Sequence, residues 1–203
     1  MPIRSPHPDV SIPDTALTPF VLGRAQELGD KPALVDGPSG RTLTYAQLDG
    51  AVRTFAGGLQ ARGFAKGDTL AIFLPNVPEY AVAFHGTAFA GGVVTTINPV
   101  YNVDEICHQL SDAGAKFLVT YPQALENATK AAERSGVEEV FVLGEGEGAT
   151  PVTELLGGEP LAEQVAVDPG DTVALPYSSG TTGLPKGVML SHRNLVANMT
   201  QAA

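Results

Sequence analysis

Sulfur and positive charge are both scarce in this chain, and each scarcity narrows what it can do. The 203 residues include a single cysteine, Cys107, so no disulfide can form within the chain. Lys and Arg together number 12 against 22 Asp and Glu, a formal net charge of −10. Nucleic-acid phosphates and anionic lipid surfaces are held by basic patches, so neither is an expected partner and small molecules are. No apolar leader opens the sequence, and with the lone cysteine this points to a reducing cytoplasm. The length suits one domain or slightly more, enough to bury a core.

Formal charge is also missing from Tyr80 to Val103, a run long enough to cross a bilayer. Gly91-Gly92, Thr95-Thr96 and Asn98-Pro99 interrupt it, and Asn76-Val77-Pro78-Glu79 reads as a helix start. The run therefore divides into a helix and a buried strand, and no membrane span is expected.

What is present is a regular alternation. Residues 1–13 carry four prolines and read as an extended arm. Thr44-x-x-Gln47 is a capping box, after which Leu48, Val52, Phe55 and Leu59 recur at helical spacing until Gly63. The strand "TLAIFLP" follows. The unit repeats: a helix from Pro78 to Ala90 leads into "VVTTIN", and a helix opened by Asn102-x-x-Glu105 leads through Gly114 into "KFLVT". A helix near Gln123 to Arg134 then precedes "EVFVL". Short apolar strands alternating with helices predict an α/β fold built on a mostly parallel sheet covered on both faces. Beyond it, Gly144 to Pro151 reads as a solvated acidic loop and Glu159 to Gly170 as a surface connection, before "TVALPY" resumes as a strand.

That strand runs into "YSSGTTGLPKGVMLSH", Tyr177 to His192. The stretch is not a Walker loop: counting from Gly180, Pro185 stands where the second glycine belongs, and Gly187 where a hydroxyl should follow the lysine. "GVML" reads as a strand, so no helix N-terminus faces the loop directly. What it offers is backbone N–H groups exposed by Gly180 and Gly183, the hydroxyls of Ser178, Ser179, Thr181 and Thr182, and the Lys186 ammonium. Residues 172–203 contain no Asp or Glu and two cations, Lys186 and Arg193, for a charge of +2 against −12 elsewhere. Those parts suit a polyphosphate; the competing reading is a solvated Gly/Ser/Thr hairpin.

"YSSGTTGLPKGV" followed by "MLSHRNL" resembles the signature loop of the adenylate-forming, AMP-binding superfamily. That superfamily includes acyl-CoA synthetases, luciferases and peptide-synthetase adenylation domains. Upstream, "TLTYAQLDGAVRTFAGGLQARGFAKGDTLAIFLPN" and "FAGGVVTTINPVYNVDEICHQLSDAGAKFLVT" resemble the family's N-terminal segments, so the likeness covers nearly the whole chain after the arm. "TTINPVYNVDEI" is more similar to 4-coumarate and fatty acyl CoA ligases than to amino-acid-activating domains, which usually carry an aspartate where Asn98 stands.

The resemblance implies that ATP and a carboxylic acid give an acyl-adenylate and pyrophosphate, and that coenzyme A then displaces AMP as a thioester forms. By matching positions, Ser178, Ser179, Gly180, Thr181, Thr182 and Gly183 would hold the β- and γ-phosphates, with Lys186 the catalytic lysine following the departing pyrophosphate. ATP, Mg²⁺ and coenzyme A are the implied cofactors and co-substrates; the Mg²⁺ ligands are not readable, and neither is the acid. Family members run well over twice this length. The implied organisation is thus an arm at 1–13 and, at 14–203, the N-terminal portion of an AMP-binding domain truncated after the phosphate-binding loop, inactive alone. Two alternatives stand beside this: a non-catalytic phosphate-binding or interaction module, and an amino-acid-activating adenylation domain.

The remaining polar residues take plainer readings. Ser191 is an N-cap, which makes His192 a helix-start residue. His85 and His108 lie in helices beside apolar residues, and Cys107 has no second ligand at zinc spacing. Glu79, Asp104 and Glu105 sit at helix starts, where acids are stabilised. Tyr177 either packs under the loop or touches ligand. Leu195, Val196 and Met199 share a helical face with nothing after it in the sequence to bury them, which predicts an exposed apolar flank.

Overall fold

The computed structural model describes residues 8–178 and 185–202. In chain order the elements are α1 (Leu17–Leu22), α2 (Ala25–Leu28), β1 (Pro32–Val35), β2 (Thr42–Thr44), α3 (Tyr45–Ala61), β3 (Thr69–Ile72), α4 (Pro78–Phe89), β4 (Val93–Thr96), α5 (Val103–Asp112), β5 (Ala115–Thr120), α6 (Leu125–Ser135) and β6 (Glu139–Val142). Then come β7 (Thr150–Pro151), β8 (Thr172–Ser178), β9 (Lys186–Gly187), β10 (Leu190–Ser191) and α7 (His192–Ala202). β1 and β2 form a separate antiparallel pair. The main sheet runs β10-β8-β4-β3-β5-β6-β7, with β9 also on β8. All pairings from β8 to β7 are parallel; β9 and β10 run antiparallel to β8.

Local sequence explains the helix starts. Thr44 caps α3 and Asn102 caps α5, each in a reciprocal box with the Gln or Glu three residues on. α4 starts at Pro78 as expected, but not through an Asn76–Glu79 capping box. Its N-cap is Val77 with no side-chain bond, Pro78 occupies the first turn, and Glu79 pairs instead with Arg41. Ser191 and Asn194 exchange bonds at the start of α7, the Ser191 Oγ accepting from the Asn194 N–H at 3.1 Å.

The central strands β3, β5 and β6 are mostly apolar because both faces of the sheet are covered. Leu70, Ile72, Phe117, Val119 and Phe141 pack under α3 and α4 with Val52, Phe55 and Leu59. Ala71, Phe73 and Leu118 point the other way, onto Ile106 and Leu110 of α5 and Ala128 and Ala131 of α6. No helix among the described residues is long and apolar enough to cross a membrane.

Three expectations need correction. The apolar flank foreseen on α7 is not open: Val196 is buried against Leu17, Ala88, Val173 and Ala174, with Leu195 and Met199 packed at the margin. The cover comes from α1, which lies far away in sequence. The acidic loop ends in β7, whose Thr150 and Pro151 extend the sheet beside β6. The stretch from Glu159 to Gly170 is a surface connection, as expected, and it is also tied to α3 and α4. Its Leu161 N–H donates to Arg53 O and its Val165 N–H to Phe89 O, and a Cβ on Gly57 or Gly58 would strike the carbonyl oxygens of Glu159 or Leu155. The glycine pair is thus the place where this segment and the preceding turn, Val152–Gly157, settle on α3. Finally, "GVML" is not one strand: Gly187 belongs to β9 and Leu190 to β10, with Val188 and Met189 exposed between them.

Candidate functional site

Because β8 is parallel to β4, its C-terminal end emerges at the edge where β3, β4, β5 and β6 also end, the usual ligand-binding edge of an open α/β sheet. Ser178 is the last residue of β8. Across the antiparallel pairing it stands opposite Lys186, and Tyr177 stands opposite Gly187. The structure therefore brings Ser178 and Lys186 together at the mouth of one hairpin. Ser179, Gly180, Thr181, Thr182 and Gly183, the other candidate phosphate-binding residues, lie outside the described residues.

Lys186 is exposed and forms no ion pair among the described residues. Arg193, the other cation of the acid-free stretch, bonds Asp14 at 3.2 Å.

Tyr177 packs under the hairpin. Its hydroxyl donates to Asp112 Oδ2 at 2.5 Å, and its ring lies against Gly187, where an added Cβ would come within 3.2 Å of ring carbon. Burial first, then the Asp112 bond and charge, hold its phenol above the ordinary range, so it remains a proton donor at neutral pH. Beside it a cleft of about 170 Å³ is lined by Tyr101, Asn102, Glu105, His108, Tyr177 and Pro185 among others. A more open groove of about 460 Å³ follows the ends of β3 and β4 past Asn76, Asn98 and Pro99. In it the Asn98 side chain accepts from the Val100 N–H and is committed to its own turn.

His85, His192 and Cys107 stay apart from the hairpin. His192 is buried, accepts the Leu17 N–H on Nδ1 at 3.1 Å, and sits next to Asp171 at the opposite end of β8. Its position is that of a helix-start residue, as the sequence suggested. His85 lies 3.1 Å from the Thr18 hydroxyl. Cys107 is half-buried and unpaired, and the described residues contain no group of three or more His, Cys, Asp or Glu placed for a metal.

Sequence reasoning missed Asp112 and read His108 only as a helix residue beside apolar neighbours. Both contact the hairpin. Their spacing of four puts them on one helix face, a signal the sequence contains; what that face meets depends on β8 crossing to the far side of β4.

Residues 23–203 match the AMP-binding enzyme family. A 4-coumarate–CoA ligase 3 of Oryza sativa subsp. japonica is 43% identical over 199 residues, covering 98% of this chain and 36% of that protein. A 4-coumarate–CoA ligase 2 of Petroselinum crispum is 36% identical over 200 residues, covering 98% of this chain and 37% of that protein. This chain thus spans little more than a third of the length of these relatives. Among solved structures, a long-chain-fatty-acid–CoA ligase from Archaeoglobus fulgidus superposes with a TM-score of 0.89 at 30% identity, over 98% of this chain and 41% of the other.

Proposed function

Because the chain belongs to the AMP-binding enzyme family, we propose that the whole protein is an ATP-dependent acid–CoA ligase acting on a 4-coumarate-like or fatty acid, and that the hairpin mouth is its triphosphate site. The pairing of Ser178 with Lys186 in a stretch without acids carries this reading.

The first step is attack by a carboxylate oxygen on the α-phosphorus, with pyrophosphate leaving. A carboxylic acid of ordinary pKa, about 4, is already ionised at neutral pH, so no general base is needed. The demands are in-line placement and neutralisation of phosphate charge. Ser178 and the following Ser179, Gly180, Thr181, Thr182 and Gly183 would bind the β- and γ-phosphates through hydroxyl and backbone donors. Lys186, a compact charge on a flexible stem, would track the pyrophosphate as negative charge builds on it. The coenzyme A thiol then attacks the acyl carbon and AMP departs. The hairpin offers hydroxyls and no carboxylate, which fits Mg²⁺ arriving on the phosphates more than a resident protein-held ion; bound there, the ion would supply further charge neutralisation.

The 203-residue chain alone is proposed to bind phosphate without sustaining turnover, since positioning nucleoside and acid together supplies much of the rate. The test is acid-dependent pyrophosphate exchange by the full-length enzyme. Loss of a charge-assisted contact of roughly 1.5–3 kcal/mol should make Lys186→Ala about tenfold to a hundredfold slower. Lys186→Arg should also be impaired, because a planar fork does not reproduce the ammonium. Exchange unchanged by Lys186→Ala would remove the assignment.

A further inference from the structure

Helix α5 meets the hairpin at two points, one on each stem. On the outgoing stem, Tyr177 donates its hydroxyl to Asp112 Oδ2. On the returning stem, Pro185 O lies 3.3 Å from His108 Nε2. A carbonyl only accepts, so the Nε2 carries the proton in that bond. The helix is itself tied to the strands: Gln109 Nε2 donates to Thr95 Oγ1 at 2.8 Å and Thr96 O at 3.0 Å, and Thr95 Oγ1 donates to Leu175 O at 2.9 Å. One hydrogen-bonded chain thus links α5, β4 and β8.

We propose that His108 and Asp112 are positioning residues that clamp the two stems to α5 and so fix Lys186 opposite Ser178 before a phosphate arrives. The geometric part stands on the contacts alone; its consequence for binding rests on the phosphate-site reading. β9 has only two residues, so at the hairpin mouth strand pairing is short and the side-chain contacts add to it. Two contacts that close a ring through one helix restrict the hairpin from both sides, and a site ordered in advance loses less entropy on binding. Each acts on its stem, His108 through the Pro185 carbonyl and Asp112 through the Tyr177 hydroxyl, and so on the backbone that carries Ser178 and Lys186.

The bond from the Val188 N–H to Pro176 O, 2.9 Å long and adjacent to the clamp, is the readout. Its hydrogen exchange can be followed by NMR in the 203-residue chain. Tyr177→Phe and His108→Ala should each speed exchange at Val188 about threefold to tenfold, with amides of β3 and β5 unchanged. Asp112→Asn keeps an acceptor for Tyr177 and should exchange as the parent does, as should Lys186→Ala. Titration with Mg-pyrophosphate should show affinity falling about threefold to tenfold in Tyr177→Phe and retained in Asp112→Asn. Unchanged Val188 exchange in both Tyr177→Phe and His108→Ala overturns the clamp, as does acceleration spread evenly over the sheet. Clamp-dependent exchange in a chain with no affinity for pyrophosphate supports the clamp and removes the phosphate reading instead.

Discussion

His85 shows how one half-buried side chain sets a pH dependence. Burial lowers its pKa from 6.5 to about 4, so it is neutral in the folded chain across the neutral range. The unfolded chain takes up a proton near 6.5 and the folded chain does not until about 4. Its stability contribution is therefore complete above 6.5 and is lost as pH falls through that window, up to about 3 kcal/mol in all. Burial lowers the His192 pKa in the same direction, consistent with its Nδ1 accepting the Leu17 N–H. Urea unfolding between pH 7.5 and 4.5 should show stability falling, and His85→Gln should flatten the fall. Equal pH slopes for the two proteins would assign the acid sensitivity elsewhere.

At the scale of elements, the docking of α7 is the feature most open to a stability measurement. Val196 is buried among Leu17, Ala88, Val173 and Ala174, so Val196→Ala leaves a cavity and should cost about 1–3 kcal/mol in urea unfolding. A cost near zero would mean that α7 does not pack there. This contact also marks where the sequence stops being readable. The repeating units were readable because strands covered on both faces become unbroken apolar runs, as in Leu70 to Leu74, and because Thr44 and Asn102 announce their helices by purely local chemistry. α7 was misread because its cover is α1, at the other end of the chain, and no local pattern reports a partner that distant. The two residues of β7 were likewise too few for any periodicity. In the site the division is similar. The order of hydroxyls, glycines and lysine pointed to Ser178 and Lys186, whereas Asp112 joins them only through the path of β8 beside β4.

For the whole molecule, the parallel sheet collects strand ends at one edge, where the hairpin proposed as the phosphate site stands. All 22 acidic residues lie before residue 172, and the hairpin that follows has none. The net negative charge of residues 1–171 disfavours an anion over much of the surface, and the proposal puts the anion at Lys186, which makes the lysine's location testable apart from its charge. The most direct measurement is calorimetric titration of Mg-pyrophosphate into the 203-residue chain, its Lys186→Ala variant and a Lys130→Ala variant, whose lost ammonium pairs with Glu126 on α6. Binding that weakens about tenfold or more in Lys186→Ala and stays at the parent's level in Lys130→Ala is the predicted result. Equal affinity in all three proteins, or equal loss in both variants, would contradict the assignment of this hairpin as the phosphate site.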